Sequence, residues 1–316
     1  MKLAFLFPGQ GSQAIGMLSA LAVTSPLVEQ TFSEASEALG YDLWRVVQDG
    51  PDEELNRTEV TQPAMLAAGV ATWRVWCAAE GPRPEVMAGH SLGEYTALVC
   101  AEAIHFADAV RLVRDRGRFM QEAVPFGTGA MAAILGLEDE QVEAVCSQAR
   151  SRADGGVDTI AAVNYNAPGQ VVVAGGHEAV ERAIELAREA GAKRAVLLPV
   201  SVPSHCALMR PAADRLARRI SDIEIRLPGI PVLHNADVAT ATSINTLRDA
   251  LVRQLYSPVR WVESVRSMAD QGCLNAIECG PGKVLTGLGK RIDKRLKTHA
   301  VHDPESLTAT LAALAE

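Results

Sequence analysis

A serine held between two glycines is the residue of this chain whose setting most favours covalent chemistry. Gly89-His90-Ser91-Leu92-Gly93 has the form GxSxG, follows a predicted strand over Val86–Gly89 and precedes a predicted helix from Glu94 to Ala103. Small flanking residues let the backbone turn sharply and lift the hydroxyl clear of the sheet, and the start of the helix directs free N–H groups toward it. The pattern predicts that Ser91 is a nucleophile; a purely structural turn is the alternative.

A serine hydroxyl needs an adjacent base, usually histidine, to attack at neutral pH. His205 follows a predicted strand over Ala195–Val200, where the chain returns to its larger part, so we favour it. His90 neighbours the serine and diverges from it, and His234 ends another strand, where a structural histidine is the simpler interpretation. Spacing assigns no Asp or Glu to a triad. A Ser-His dyad and a Ser-His-acid triad therefore both stay open at this point.

An arginine interrupts the apolar side of a predicted helix over Phe106–Val124. At about 100° per residue, Arg116 shares its arc with Leu112. Asp115 and Arg118 lie opposite, toward solvent. A charged group on a buried face needs a partner. An internal ion pair with Asp or Glu is one explanation; the other is a substrate carboxylate, which arginine binds through two parallel hydrogen bonds.

The elements that must position these side chains alternate between short apolar runs and longer helical patterns, which is typical of an α/β protein with a parallel sheet. Strands are predicted at Leu3–Phe7, Val86–Gly89, Pro231–Asn235 and Ala276–Glu278. A Gly, Asn or Ser residue lies at or near the end of each of these strands, where the chain must turn. The carboxyl ends of such strands are where α/β proteins place their chemistry.

Between residues 127 and 199 the rhythm changes to strand, helix, strand, strand, helix, strand. The predicted elements are Met131–Leu135, Asp139–Arg150, Ala161–Asn164, Gln170–Ala174, Glu178–Ala190 and Ala195–Val200. This βαββαβ order is that of a ferredoxin-like unit. We therefore expect a small ferredoxin-like subdomain (127–199) inserted in a large α/β domain (1–126 and 200–316), with a ligand cleft between them.

Composition narrows the functional classes. The 316 residues include 48% hydrophobic residues, enough for a sizeable core, and 30 basic against 38 acidic residues give a net charge of −8. That balance argues against broad contact with nucleic acid or anionic membranes. The first apolar run is too short for a signal peptide or a membrane span, so a cytoplasmic location is expected. Six scattered cysteines without CxxC spacing predict no metal site.

Several segments, taken together and in order, make the chain resemble the malonyl-CoA:acyl-carrier-protein transacylases, whose fold pairs a hydrolase-like body with a ferredoxin-like insertion. The segments are Phe7-Pro8-Gly9-Gln10-Gly11-Ser12-Gln13, Gly89-His90-Ser91-Leu92-Gly93-Glu94-Tyr95, Arg116-Gly117 with Met120-Gln121, Asn164-Tyr165-Asn166-Ala167-Pro168-Gly169-Gln170, Val202-Pro203-Ser204-His205, Arg253-Gln254-Leu255-Tyr256 and Gly280-Pro281-Gly282-Lys283. One position departs from the family. Close relatives usually have Asn-Asn where this chain has His234-Asn235, which could alter local hydrogen bonding.

The resemblance implies roles for residues of this chain. Ser91 would accept the acyl group and His205 would be its base, with the backbone carbonyl of Gln254 orienting the imidazole. Arg116 would bind the malonyl carboxylate. Two further assignments complete the implied site, with the backbone N–H groups of Gln10 and Leu92 as the oxyanion hole and Gln62 lining the pocket.

The resemblance also implies the reaction. Malonyl would pass from malonyl-CoA to the phosphopantetheine thiol of acyl carrier protein by a ping-pong mechanism through a malonyl-serine ester, in fatty-acid biosynthesis and without a metal or other cofactor. The partners would be acyl carrier protein and coenzyme A thioesters. The oligomeric state stays open; a monomer is expected because nothing in the sequence suggests an obligate interface. Lys290, Arg291 and Lys294 lie in the densest basic segment and are a candidate dock for the acidic carrier; a solvated face of a terminal helix is the alternative. A serine hydrolase and a non-catalytic carrier-binding scaffold are the rival classes.

Overall fold

Two separate β-sheets organise the chain. The computed structural model describes residues 2–152, 154–200 and 202–315. The strands are β1 (Lys2–Phe7), β2 (Val86–Gly89), β3 (Gly129–Leu135), β4 (Ile160–Ala167), β5 (Gln170–Gly176), β6 (Arg194–Leu197), β7 (Val232–Leu233), β8 (Cys273–Cys279) and β9 (Lys297–Val301). Five of them form a parallel sheet in the order β7-β2-β1-β8-β9, and the other four form an antiparallel sheet in the order β4-β5-β3-β6.

Helices cover both sheets. They are α1 (Ser19–Thr24), α2 (Leu27–Leu39), α3 (Leu43–Asp49), α4 (Asp52–Leu55), α5 (Thr58–Ala78), α6 (Gly93–Cys100), α7 (Phe106–Ala123), α8 (Asp139–Ala149), α9 (His177–Glu189), α10 (Arg210–Ser221), α11 (Ile244–Gln254), α12 (Trp261–Asp270), α13 (Val284–Ile292) and α14 (Pro304–Ala315), with a short 3₁₀ turn at Ala207–Met209 before α10. None of the helices among the described residues is long and apolar enough to cross a membrane.

The parallel sheet is buried on both faces, which explains why its central strands read as continuous apolar runs. β1 lies at its centre, and Phe5 packs edge-on against Trp73 and Trp76 of α5 at centroid separations of 5.1 and 5.4 Å. Helix α5 is itself buried along most of its length because it lies between the sheet and α7. The mixed α/β class expected from the sequence is therefore confirmed, with the predicted strands found to within a few residues.

The antiparallel sheet has its own core. Its strands and the helices α8 and α9 enclose a cluster of buried side chains, among them Ile134, Val142, Val173 and Ile184. The observed order along the chain, β3-α8-β4-β5-α9-β6, is the one that the apolar pattern predicts. The reason is that each of these strands alternates or runs apolar over a length typical of strands, whereas the two helices show 3.6-residue periodicity.

The basic segment near the carboxyl terminus is only partly helical, although one alternative considered from the sequence was the solvated face of a terminal helix. Lys290 and Arg291 lie in the last turn of α13, which ends at Ile292, and Lys297 begins β9. After α13 the chain forms β9, which pairs with β8 in parallel, with Asn275 opposite Lys297 in the register. The sequence interpretation missed this strand, since an edge strand with exposed polar positions has no strong apolar signal.

Candidate active site

Ser91 sits at a tight turn between β2 and α6. Its φ angle is 52°, in the left-handed region that non-glycine residues seldom occupy. The two glycines are required by close backbone approach: a Cβ on Gly89 would lie 1.8 Å from the carbonyl carbon of Gly93, and one on Gly93 would lie 2.0 Å from the carbonyl oxygen of Phe7. The strand-turn-helix setting predicted for the serine is therefore present, with α6 beginning two residues after it.

Two side chains from distant segments hold this turn in place. The Ser91 N–H donates to Asn235 Oδ1 at 2.7 Å, and Asn235 Nδ2 donates to the carbonyl of Gly89 at 2.7 Å. Gln254 Nε2 donates to the carbonyl of Ser91 at 2.8 Å. Because the strained residue is hydrogen-bonded through both its N–H and its C=O, the surrounding structure fixes the direction of its side chain.

His205 meets Ser91 across a separation of 114 residues along the chain. The imidazole is buried, and its Nε2 lies 2.8 Å from Ser91 Oγ. Its Nδ1 lies 2.7 Å from the carbonyl oxygen of Gln254. A carbonyl oxygen only accepts, so Nδ1 carries the proton, which leaves Nε2 of the neutral ring free to accept from the serine hydroxyl. The contact implied for the Gln254 carbonyl is present, and no Asp or Glu of the described residues forms a hydrogen bond or ion pair with His205.

Arg116 reaches the same point from α7 and is buried. Its Nη1 donates to Gln62 Oε1 at 2.9 Å, and its Nη2 donates to Gln254 Oε1 at 3.0 Å and lies 3.4 Å from Ser91 Oγ. Within residues 2–152, 154–200 and 202–315, no Asp or Glu lies within ion-pair distance of the guanidinium, and its Nε has no hydrogen-bond partner. The internal ion pair considered from the sequence is absent there, so the charge has only neutral partners.

Burial shapes the protonation of these groups. It lowers the pKa of Arg116 from its usual value, against the opposing effects of Tyr95 and Glu94, yet a guanidinium stays charged. Burial, followed by the positive charge of Arg116, lowers the pKa of His205 to about 3. The imidazole is therefore neutral at physiological pH, as a general base must be.

A cavity of about 120 Å³ brings the three side chains together. Ser91, His205 and Arg116 all line it, as do Gln10 and Leu92. The opposite wall comes from the antiparallel sheet and the segment after it, through Met131, Asn164, Leu198 and Val200. The cavity thus lies between the two sheets, where a cleft was expected. Gln62 and Gln254 do not line it and instead lie behind Arg116 as its hydrogen-bond acceptors.

Two residues of the site were not identified from the sequence. Asn235 was noted only as part of a departure from the family pattern, and Glu94 only as the start of a helix and as part of the Gly89–Tyr95 segment that resembles the family. Glu94 is completely buried and accepts hydrogen bonds from His234, Asn235 and Gln254. A carboxylate in an otherwise apolar helix is the same signal that identified Arg116, and it could have been used here. His234 is buried against Glu94, with its Nδ1 2.8 Å from Oε1, and it does not line the cavity.

Asp115 corrects one expectation about α7. The helical pattern placed it on the solvent side, but its side chain is buried, with Oδ2 accepting from Nε of Arg219 at 2.9 Å. Helix α10, which carries Arg219, packs on that face of α7. The reason for the error is that one helix's periodicity says nothing about a second helix that covers its polar side.

Comparison with known proteins agrees with this site. Residues 4–303 match the model of the acyl transferase domain, so the chain is an acyltransferase. The malonyl CoA-acyl carrier protein transacylase of Escherichia coli K12 is 58% identical over 310 residues, which cover 98% of this chain and 99% of that protein. The transacylase of the same name from Bacillus subtilis is 44% identical over 315 residues, covering 100% of this chain and 98% of that protein.

Solved structures show the same relationship. An acyl carrier protein S-malonyltransferase from Vibrio cholerae has a TM-score of 0.94 and 58% identity, covering 98% of this chain and all of that one. A malonyl-transacylase solved in complex with a type II polyketide synthase acyl-carrier protein has a TM-score of 0.96 and 56% identity, covering 99% of this chain and 100% of that one. The chain belongs to the malonyl CoA-acyl carrier protein transacylase family.

Proposed function

We propose that this acyltransferase moves malonyl from malonyl-CoA to the phosphopantetheine thiol of acyl carrier protein, in fatty-acid biosynthesis. The observation that carries the proposal is the buried Arg116 guanidinium, 3.4 Å from the Ser91 hydroxyl and without an acidic partner among the described residues. A desolvated cation beside a nucleophile favours a substrate that brings its own carboxylate. Malonyl thioesters have that group, whereas acetyl thioesters do not.

The first half-reaction transfers malonyl to the enzyme. His205 Nε2 takes the proton of Ser91 Oγ as that oxygen attacks the thioester carbonyl, and the N–H groups of Gln10 and Leu92 stabilise the negative charge of the tetrahedral intermediate. The intermediate then breaks its C–S bond. His205 returns the proton to the departing CoA sulfur, which leaves a malonyl ester on Ser91.

The second half-reaction runs the same steps in reverse with a new thiol. The phosphopantetheine thiol of the carrier gives its proton to His205 Nε2 and attacks the ester carbonyl. The C–O bond to Ser91 breaks, and the serine oxygen recovers the proton. No metal or redox cofactor is required, because a thioester is exchanged for another thioester through an ester. The carrier as partner is supported by the 56% identical relative, which is in complex with such a protein.

The distinguishing experiment compares two fates of the malonyl group. The protein is incubated with malonyl-CoA, with and without holo acyl carrier protein, and followed by intact-mass spectrometry and malonate release. We expect a malonyl adduct that disappears when the carrier is added, with malonyl-carrier as the main product. Predominant release of free malonate would instead indicate a serine hydrolase, and no adduct on an intact Ser91 would refute the ester mechanism.

The depressed pKa of His205 predicts an unusual pH profile. Since the imidazole stays neutral down to a pKa of about 3, we expect the single-turnover acylation rate to show no fall centred near about 6.5, the ordinary histidine value, as the pH is lowered to about 5. A rate that halves near pH 6.5 would contradict the assignment.

The same shift makes the stability of the fold depend on pH. The folded state resists a protonation of His205 that the unfolded chain accepts. The contribution of His205 to the free energy of unfolding is therefore complete above a pH of about 6.5 and is lost as the pH falls toward about 3.

The carrier is proposed to dock at Lys290, Arg291 and Lys294. Lys290 and Lys294 are exposed and form no ion pair with the described residues, whereas Arg291 Nη2 donates to the carbonyl of Pro168 at 3.2 Å in the turn between β4 and β5. Arg295 is already engaged by Asp270 and Asp293. Reversing Lys290 and Lys294 to Glu should raise the KM for the carrier and leave acylation by malonyl-CoA unchanged; an unchanged KM would move the dock elsewhere.

Two architectural assignments accompany the function. The strand order β4-β5-β3-β6 with helices α8 and α9 supports a ferredoxin-like subdomain over residues 127–199. The serine turn after a central parallel strand supports a hydrolase-like body over 1–126 and 200–316. In this arrangement the smaller unit closes the cavity over Ser91, since Met131 and Asn164 form part of its wall.

A further inference from the structure

A completely buried carboxylate lies just behind the nucleophile, and the proposed mechanism does not use it. Glu94 is in the first turn of α6 and has no exposed surface. Its Oε1 lies 2.8 Å from His234 Nδ1, and its Oε2 accepts from the Asn235 N–H at 2.8 Å and from Gln254 Nε2 at 3.0 Å. Burying a carboxylate costs free energy that only well-placed donors offset. Three donors from two other segments meet that need.

Gln254 links this carboxylate to all three proposed reacting groups. Its side-chain Nε2 holds the Ser91 carbonyl, its Oε1 accepts from Arg116, and its backbone carbonyl accepts from His205. Only one orientation of the side-chain amide therefore pairs its donor and acceptor correctly with these groups. If it flipped, its NH₂ group would face the guanidinium donor and its oxygen would face both Glu94 and the Ser91 carbonyl. The Glu94 carboxylate fixes that orientation by accepting from Nε2.

A second link runs through Asn235. Glu94 Oε2 accepts from its backbone N–H, while its side-chain Oδ1 and Nδ2 hold the Ser91 N–H and the Gly89 carbonyl. The strained turn is thus braced from two directions, and both braces end on the same carboxylate. Displacing Glu94 would release both at once, whereas losing either brace alone would leave the other.

His234 completes the arrangement in this chain. It is buried and its Nδ1 contacts Glu94 Oε1, whereas its Nε2 has no partner among the described residues. The charged groups around it are Glu94 on α6, Asp237 in its own loop and Arg253 on α11, and Arg253 is paired with Asp237 at 2.7 Å. Burial lowers the pKa of His234, but the hydrogen bond and charge of Glu94 outweigh it, and the pKa is raised.

We propose that Glu94 is a positioning residue, which orients Gln254 and Asn235 and through them Ser91, His205 and Arg116, and that His234 is the donor that holds Glu94 in place. The role rests on the proposed transfer function, because it concerns the geometry of that site. It differs from a merely structural role in one respect. Loss of the carboxylate should slow the chemistry of correctly folded molecules, not only reduce their number.

The first test measures acylation by malonyl-CoA in single turnover for Glu94→Gln and Glu94→Ala. The amplitude at saturating malonyl-CoA gives the folded, competent fraction, and the rate constant gives the reactivity of that fraction. We expect rate constants about 10-fold lower for Glu94→Gln, which keeps one oxygen, and about 100-fold lower for Glu94→Ala, with half-saturating malonyl-CoA raised as well because Arg116 loses the support of Gln254. The control is Glu185→Ala, an exposed glutamate on α9, which should match the wild type.

The second test uses the matched pair His234→Asn and His234→Leu. Asparagine retains an N–H donor for Glu94 and should keep the rate constant within about 3-fold of the wild type, whereas leucine fills the site without a donor and should lower it about 10-fold. Rescue by the asparagine variant would show that the donor, not the ring or its charge, is what matters. Equal rates for the leucine variant and the wild type would remove His234 from the proposal.

A third measurement separates this inference from the proposed function. A fluorophosphonate reacts with a serine activated by histidine and needs no malonyl recognition. If the wild type forms no malonyl adduct, the transfer function fails, but the rates of Ser91 phosphonylation still report its positioning. Lower rates in the Glu94 variants support the inference. Wild-type rate constants in both Glu94 variants, with either reagent, overturn it.

Discussion

Replacing Ser91 by alanine should abolish the malonyl adduct and lower malonyl transfer to the carrier by about 10⁴- to 10⁶-fold. The variant removes the hydroxyl oxygen that lies 2.8 Å from His205 Nε2, so no ester can form. The oxyanion donors and the binding groups stay in place, which leaves a residual rate above the uncatalysed one. Intact-mass spectrometry and carrier acylation measure the two effects separately.

The alanine variant should fold normally, which makes its loss interpretable. Ser91 holds its turn through its backbone N–H and C=O, and alanine keeps both of these hydrogen bonds. A left-handed φ of 52° is as accessible to alanine as to serine within about 1 kcal/mol. We therefore expect a melting temperature near that of the wild type. An adduct that persists in this variant would show that another residue carries the acyl group.

The parts of this site that the sequence predicted are those with a local signal. The serine was found because its turn requires glycines at both neighbouring positions, and close backbone contacts at Gly89 and Gly93 show why. Arg116 was found because a charge on an apolar arc conflicts with the pattern around it. Both inferences used fewer than about twenty consecutive residues, a span over which helical and strand periodicity can be judged.

The parts that were missed depend on contacts between distant segments. Glu94 meets His234 and Gln254 across 140 and 160 residues, and nothing near Glu94 in the sequence identifies those partners. Asp115 was placed toward solvent because α10, about a hundred residues later, was not known to cover it. Periodicity describes which face of an element is apolar; it does not say which polar residues another element will bury.

His205 lies between these two cases. Its position after the last strand of the smaller unit favoured it over His234, but the residues alone left the choice between a dyad and a triad open. The structure shows why spacing could not decide. The imidazole is oriented by the backbone carbonyl of Gln254. Every residue has a backbone carbonyl, so the type of residue at a position does not identify this acceptor. Only the resemblance to the family pointed to that carbonyl.

Arg116→Ala is expected to lower kcat/KM for malonyl-CoA by about 10²- to 10⁴-fold, the loss of a desolvated charge pair worth about 3–5 kcal/mol. The structure sharpens the expectation. Because the hydrogen-bond partners of the guanidinium among the described residues are neutral, its removal breaks no direct ion pair, although the buried Glu94 loses a nearby positive charge. The variant should therefore keep most of its stability, unlike one that breaks an internal ion pair.

The decisive comparison uses acetyl-CoA, which has the same thioester but no free carboxylate. Acetyl transfer should fall far less in Arg116→Ala, because the substrate never formed the charge pair. Arg116→Lys should fall between alanine and the wild type for malonyl-CoA, since an ammonium restores the charge but not the two parallel hydrogen bonds. Equal losses for the two thioesters would mean that Arg116 supports the position of Ser91 alone. In that case the 3.4 Å contact between Nη2 and Oγ, and not carboxylate binding, would be its contribution.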